Sequence, residues 1–333
     1  MTDNNKPYIK VEHLKKYFST KRGMLHAVDD VSFDIEKGET LGLVGESGCG
    51  KSTLGRCLIR LLDSTAGKVL LRDREGGGYT DVTKVNASTM KELRRRVQIV
   101  FQDPYSCLNP RLSVWELIAE PLIVNSVYGS KAEMRKRIRE LMSTVGLAER
   151  LENSYPHELD GGRRQRIGIA RSLALNPEFI VLDEPVSALD VCIQAQILNL
   201  LNELQREFHY TYVFISHNLS VVKHVSDRIA VMYLGQVVEK ADNTTLFKNP
   251  VHPYTQALLS AVPTARLSGR RQRIILEGDV PSPINPPGSC RFMGRCAYRQ
   301  DECLGGTPPL TEYEPGHFVA CRFAGRLTRS RSS

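Results

Sequence analysis

Residues Gly45, Glu46, Ser47, Gly48, Cys49, Gly50, Lys51, Ser52 and Thr53 spell the pattern G-x-x-x-x-G-K-S-T. Glycines at this spacing let successive backbone N–H groups face inward around the terminal phosphates of a nucleotide. Lys51 adds a point charge at the β and γ phosphates, and Ser52 offers a hydroxyl to Mg²⁺. The apolar run Leu41-Gly42-Leu43-Val44 enters this loop and Leu54-Gly55-Arg56-Cys57-Leu58-Ile59 leaves it, giving the strand, turn and helix that a phosphate cradle requires. A second apolar run ends in Leu182-Asp183-Glu184. An acidic residue at the tip of a buried strand can orient Mg²⁺ through its water shell, and the next carboxylate can polarise a water attacking the γ-phosphate. Asp183 is therefore the candidate metal-side carboxylate and Glu184 the candidate general base. His217, just past the apolar residues 212–215, is a candidate γ-phosphate contact.

Cys290, Cys296, Cys303 and Cys321 fall within 32 residues, spaced C-x5-C-x6-C-x17-C among prolines and glycines. Four thiolates suit one metal centre, but the paired C-x2-C knuckles of common zinc sites are missing, and free thiols stay open. The other cysteines, Cys49, Cys57, Cys107 and Cys192, read as small packing residues. Disulfides are not expected, because the chain reads as cytoplasmic: it opens on the polar MTDNNKPYIK, and no apolar run approaches the roughly 18 residues of a spanning helix.

Holding these groups requires one large domain and an appendage, which 333 residues with 41% hydrophobic and 25% charged content allow. Residues 9–14, 27–35 and 69–71 read as short strands around the strand that enters the glycine loop, with turn signals at 37–38 and 64–67. Residues 97–101 form another strand, and 114–124 and 132–145 carry helical periodicity. Buried strand returns at 179–182. A helix follows with Ile193, Ile197, Leu201, Leu204 and Phe208 on one face, then the strand 212–215 and a hairpin of 228–234 with 236–240. Beyond residue 250 the composition shifts to Pro, Gly, Arg and Cys, which places a boundary there. The net charge of +8 points to an anionic partner, whether nucleic acid, lipid head groups or ATP, without choosing among them. The basic end from Arg326 to Ser333 reads as disordered and solvated.

In this order the pieces resemble the ATP-binding subunit of an ATP-binding-cassette transporter, over about residues 8–240. The resemblance implies an α/β fold: a P-loop NTPase (RecA-like) core with an antiparallel β subdomain and a helical insertion at about 103–176. It puts the nucleotide-binding domain at 1–250 and a small irregular Cys-rich extension at 251–333. It makes Tyr17 the aromatic that stacks on adenine, with Phe18 adjacent, and Gln102 the glutamine that senses Mg²⁺ and the transmembrane partner. Leu159 to Arg166 becomes the signature motif, with Asp160, Gly161 and Gly162 facing nucleotide on an opposing cassette. Ser187-Ala188-Leu189-Asp190 becomes the D-loop, and His217 the switch histidine. The implied machine is a head-to-tail pair of cassettes on two permease subunits, supplied by an extracytoplasmic substrate-binding protein. It sits on the cytoplasmic face of the inner membrane and engages no nucleic acid.

The signature departs from the family pattern, reading LDGGRRQR with Asp160 for the usual Ser and Arg163 for the common Gln. An ionised Asp160 about 4 Å from a γ-phosphate would repel it by roughly 4 kcal/mol at an effective dielectric near 20. That expectation gives a weakened composite site and a heterodimer of cassettes, unless Arg163 or Arg164 compensates or Asp160 simply caps the next helix. The tail, with Asn249-Pro250-Val251-His252-Pro253-Tyr254-Thr255 and later Gly278-Asp279-Val280-Pro281-Ser282-Pro283, resembles the extension of dipeptide and oligopeptide importer ATPases. Glu184-Pro185-Val186-Ser187-Ala188-Leu189-Asp190 suggests the F-type member of their D/F pair. Related subunits carry a [4Fe–4S] cluster at such cysteines, which the resemblance extends to Cys290, Cys296, Cys303 and Cys321, with Zn²⁺ the alternative metal. A regulatory cassette without turnover, an importer of nickel or another small solute, and a soluble cassette acting on DNA or ribosomes are the competing readings.

Overall fold

A computed structural model describes residues 6–74, 77–262 and 273–326; the basic end past Arg326 lies outside the described residues. The chain opens with β1 (Ile9–Thr20), β2 (Gly23–Ile35), β3 (Thr40–Val44), α1 (Lys51–Leu58), β4 (Ala66–Arg72) and β5 (Tyr79–Asp81). Next come α2 (Ala87–Arg96), β6 (Val97–Val100), α3 (Pro104–Cys107), α4 (Val114–Val124), α5 (Lys131–Thr144), α6 (Gly161–Leu173), β7 (Phe179–Asp183), α7 (Val191–Phe208) and β8 (Thr211–Ile215). The last part holds α8 (Leu219–Val225), β9 (Arg228–Tyr233), β10 (Gln236–Asp242), α9 (Asn243–Lys248), α10 (Pro253–Ser260), β11 (Thr311–Glu314) and β12 (His317–Val319). Two compact units divide these elements: residues 1–36, 40–83 and 215–333 form the first, 37–39 and 84–214 the second.

In the first unit, β2, β1, β4 and β5 make an antiparallel sheet in that order. Its strands run further than alternation alone suggested, because β1 carries register shifts between Val11 and Leu14 and again before Lys16. Each shift breaks the period-two pattern while the pairing continues. The turn expected at 64–67 is shorter than its composition implied, since Ala66 and Gly67 already belong to β4. The same unit holds the run β11, β12, β10, β9 and β3. Here β3 lies parallel to β9, and the tail hairpin joins by pairing β12 with β10. All five residues of β3 are buried, as expected of a parallel strand covered on both faces.

The second unit places β6 parallel to β7, with β8 on the far side of β7. Its helices start on explicit caps. Ser113 and Glu116 form a capping box on α4, Ser130 caps α5, and Asp190 caps α7 by accepting from the Ile193 N–H at 3.0 Å. Each cap satisfies backbone donors that the first helical turn leaves without partners. Cys49 and Cys57 are buried as expected of packing residues, whereas Cys107 is only partly covered and Cys192 is exposed. The second residue of α7 faces solvent, so Cys192 is not part of a core.

Candidate functional site

The glycine loop folds between β3 and α1. Gly50 sits at φ 105° just before α1, and a Cβ there would lie 2.0 Å from the Ala27 carbonyl oxygen, so only glycine fits. The Lys51 side chain is buried inside the loop. Its Nζ donates to the carbonyls of Gly45 at 2.8 Å and Glu46 at 3.0 Å, and it lies 3.8 Å from Cys49 Sγ. Burial pushes the Cys49 thiol pKa up even though Lys51 pulls it down, so Cys49 stays a neutral lining group. Ser52 and Thr53 are half-buried on the first turn of α1. His217 follows β8, exposed, just ahead of Asn218, which caps α8 through the Ser220 N–H at 3.0 Å.

Tyr17 lies on β1 opposite His26 of β2, and the two rings stack 4.0 Å apart. The Tyr17 hydroxyl donates to Asp29, which also takes the Arg291 guanidinium. Phe18 lies under the Lys16 ammonium instead, so Tyr17 is the aromatic built into a polar network.

The second unit carries Asp183, buried at the end of β7, and Glu184, at φ 48°. Gln102 donates its side-chain amide to Glu184 at 3.1 Å, which brings together two residues 82 positions apart. Ser187 closes the following turn, its N–H and hydroxyl both donating to the Glu184 carbonyl. Asp160 is the N-cap of α6, accepting from the Arg163 N–H at 2.8 Å. Arg163 Nε lies 3.5 Å from the other carboxylate oxygen. A Cβ on Gly162 would meet Ile193 at 2.6 Å, so this glycine allows α6 to approach the start of α7.

The tail of the first unit reaches the glycine loop through Tyr254, part of the 249–255 motif, and through Arg295, which motif spacing did not single out. Tyr254 of α10 accepts the Glu46 N–H at 2.9 Å, and Arg295 donates to the Glu46 carboxylate at 2.8 Å. Arg291 donates to Asp29 and to the Leu234 carbonyl. The available signal was the pair of arginines set one residue after Cys290 and one before Cys296, basic groups too costly to bury without partners.

Cys290, Cys296, Cys303 and Cys321 line one cavity of about 20 Å³ with His252, Phe292 and Met293. Burial pushes the Cys296 thiol up to about 11, and its three cysteine neighbours act in the same direction. Cys290 and Cys321 are raised for the same leading reason. Among the described residues, no group of three or more His, Cys, Asp or Glu side chains is arranged to hold a metal ion.

Residues 28–187 match the family model of the ABC transporter, and residues 238–303 match the C-terminal region of the oligopeptide/dipeptide transporter. The putative oligopeptide transport ATP-binding protein YkfD of Bacillus subtilis is 50% identical over 95% of each chain. AppF of the same organism, an oligopeptide transport ATP-binding protein, is 48% identical over 96% of this chain and 98% of its own. A putative peptide import ATP-binding protein of Brucella ovis is 48% identical over 95% of this chain and 97% of its own. Among solved structures, the ATP-binding cassette MJ0796, a dimer bound to ADP and Pi, superposes with a TM-score of 0.62 at 30% identity. It covers 71% of this chain and 98% of its own. CbiO1 of Clostridium perfringens gives 0.63 at 28% identity, over 74% of this chain and 92% of its own.

Proposed function

The chain belongs to the ABC transporter ATP-binding proteins, in their oligopeptide transport branch, and from that premise we propose that it is the F-type ATPase subunit of a dipeptide or oligopeptide importer. Members of this family are ATPases coupled to transport. The observation that carries the reading is the loop from Gly45 to Thr53, closed around a buried Lys51, in a chain whose residues 238–303 also match the importer C-terminal region. The loop amides and Lys51 bind the triphosphate, Tyr17 stacks on adenine, and Glu184 takes the proton of the water that attacks the γ-phosphorus as the bond to ADP breaks. His217 contacts the γ-phosphate. Ser52, Gln102 and Asp183 are hard oxygen donors suited to Mg²⁺, which neutralises phosphate charge when bound.

The proposed assembly pairs this cassette head-to-tail with a paralogous one on two permease subunits, at the cytoplasmic face of the membrane, with a substrate-binding protein outside. No helix among the described residues is long and apolar enough to cross a membrane. A groove of about 350 Å³ beside α4, lined by Arg94, Pro121, Val124 and Arg171, with Tyr105, Ile123 and Val124 exposed, supports the second unit as the permease contact. Asp160 faces the opposing cassette in this reading and weakens that composite site. Its pairing with Arg163 reduces the repulsion well below the value for a bare carboxylate. The test is peptide uptake and ATP hydrolysis by the reconstituted complex. Lys51→Ala should abolish both, and transport that persists without ATP turnover would end the proposal.

The cysteine cavity is proposed to hold a structural [4Fe–4S] cluster. What supports it is the donor set: four thiols drawn from 32 residues to one cavity. Among the described residues no group of three or more such side chains is arranged to hold a metal ion, so the reading rests on this donor set alone, and Zn²⁺ stays the alternative. When bound, the cluster supplies cross-linking to a segment with few regular elements. Anaerobic purification should yield about four iron and four sulfide per chain, lost when Cys296 and Cys303 become Ser; zinc or no metal would withdraw it.

A further inference from the structure

Glu46 places a carboxylate within the phosphate-binding loop, where a bound triphosphate would concentrate negative charge. An ionised side chain there works against Lys51 and the loop amides unless something neutralises it. Arg295 does so: its Nη1 lies 2.8 Å from Glu46 Oε2, with the guanidinium side chain only 9% exposed. Both partners are held in place. The Glu46 N–H is fixed to the Tyr254 hydroxyl, and Tyr254 packs against Tyr233 and Phe292 with ring centres 4.7 and 5.5 Å away. Arg295 ends the short turn Met293–Arg295, its own N–H donating to the Phe292 carbonyl at 3.0 Å.

We propose that Arg295 is a positioning residue of the nucleotide site, masking the charge of Glu46 and holding its carboxylate away from the triphosphate. This deepens the reading of residues 45–53 as the ATP site and rests on it. The tail is then part of the binding site rather than an ornament on it, because the loop carries a charge that the tail cancels. A purely structural role is the competing account, in which Arg295 merely ties the tail to the loop. The two differ in what removing the Glu46 charge does. If Arg295 works by masking, neutralising Glu46 makes it dispensable for ATP affinity; if it works as a clamp, neutralising Glu46 restores nothing.

The experiment measures ATP affinity of the full-length chain by equilibrium dialysis. Arg295→Met is expected to raise the Kd about tenfold, and by less in high salt, as for a partly exposed charge. Adding Glu46→Gln to that variant is expected to bring the Kd back to within about threefold of the wild type. Arg295→Lys, which keeps the charge and serves where the Met variant fails to fold, should also stay within about threefold. An unchanged Kd in Arg295→Met, a loss that Glu46→Gln does not rescue, or a tenfold loss in Arg295→Lys would each overturn the proposal. Lys51→Ala separates the two levels. Lost ATP binding there upholds the site and leaves Arg295 to be judged by its own variants, whereas retained binding removes the site and this inference together.

Discussion

Gln102 donates its side-chain amide to Glu184 across 3.1 Å, while Glu184 holds a left-handed backbone at φ 48°. For a residue with a Cβ that conformation costs of order 1 kcal/mol, and it persists where the surroundings impose it. Here the turn behind it, closed by Ser187 onto the Glu184 carbonyl, supplies the constraint, and Gln102 fixes the carboxylate. Such a group is oriented before substrate arrives. Glu184→Gln keeps the shape but cannot take a proton, so ATP turnover by the assembled complex should fall about 10²–10⁴-fold with ATP affinity preserved. Wild-type turnover in that variant would remove Glu184 from the base role.

Asp160 answers to two separate measurements. As the N-cap of α6 it accepts the Arg163 N–H at 2.8 Å, so Asp160→Ala should cost about 1 kcal/mol of stability in urea unfolding, whereas Asp160→Ser should cost little. As a carboxylate facing an opposing cassette it should slow hydrolysis, so Asp160→Ser should raise ATPase activity of the assembled complex. The Arg163 pairing, with the carboxylate 58% exposed, limits that gain to a few-fold. Equal activity in the wild-type and Asp160→Ser complexes would leave the cap as its role and withdraw the weakened site.

Local chemistry made the central strands and the β9–β10 hairpin legible, because each depends on residues a few positions apart, whereas the short β5, β11 and β12 carried no such signal. The signature motif presents Asp160 first as a carboxylate facing nucleotide and only alternatively as a helix cap, and the cap is what the fold of this chain displays. Glu184 did not announce its positive φ, since glutamate has no preference for that region and the constraint comes from the turn after it. Nor did any local pattern encode the tail contacts: Arg291 meets Asp29 across 262 positions and Arg295 meets Glu46 across 249. Those pairings follow from folding the tail back, with β12 on β10 and α10 under the loop. The C-x5-C-x6-C-x17-C spacing named the cysteines without showing that they line a common cavity.

Asp34 of β2 holds two cations at once. Lys240 Nζ lies 2.8 Å from one oxygen and Arg228 Nη1 lies 2.9 Å from the other, tying β9 and β10 to the antiparallel sheet. Burial alone would raise the Asp34 carboxyl, but Lys240 and then Arg228 outweigh it and hold it down at about 2. The Lys240 side chain is 4% exposed, so Asp34→Ala strands its ammonium among apolar neighbours such as Phe318. We expect a loss of about 2 kcal/mol, the partial exposure of Asp34 keeping it below the cost of breaking a fully buried pair. Lys240→Met in the same background should recover most of it, because the more deeply buried charge is then gone while Arg228 is partly exposed and keeps the Asp34 carbonyl. A double variant no more stable than Asp34→Ala would show that the cost lies elsewhere.

Burial of His252, just before α10, is expected to make stability depend on pH. Its ring is buried against Phe292, Nδ1 accepts the Tyr254 N–H at 3.1 Å, and burial pulls its pKa from 6.5 to about 4 despite the opposing pull of Glu239. Between those values the unfolded chain binds the proton and the folded chain does not, so stability rises with pH across that interval. The contribution is complete above about pH 6.5 and fades as pH falls toward 4, amounting to roughly 3 kcal/mol. Asp34 titrates lower, from 3.8 to about 2, and so adds little within this window. His252→Asn retains a side-chain oxygen to accept the Tyr254 N–H and cannot titrate. Urea midpoints followed from about pH 7 down to about pH 4.5 should therefore fall more steeply for the wild type than for the variant. Parallel curves would show that His252 does not supply the stability lost across this interval.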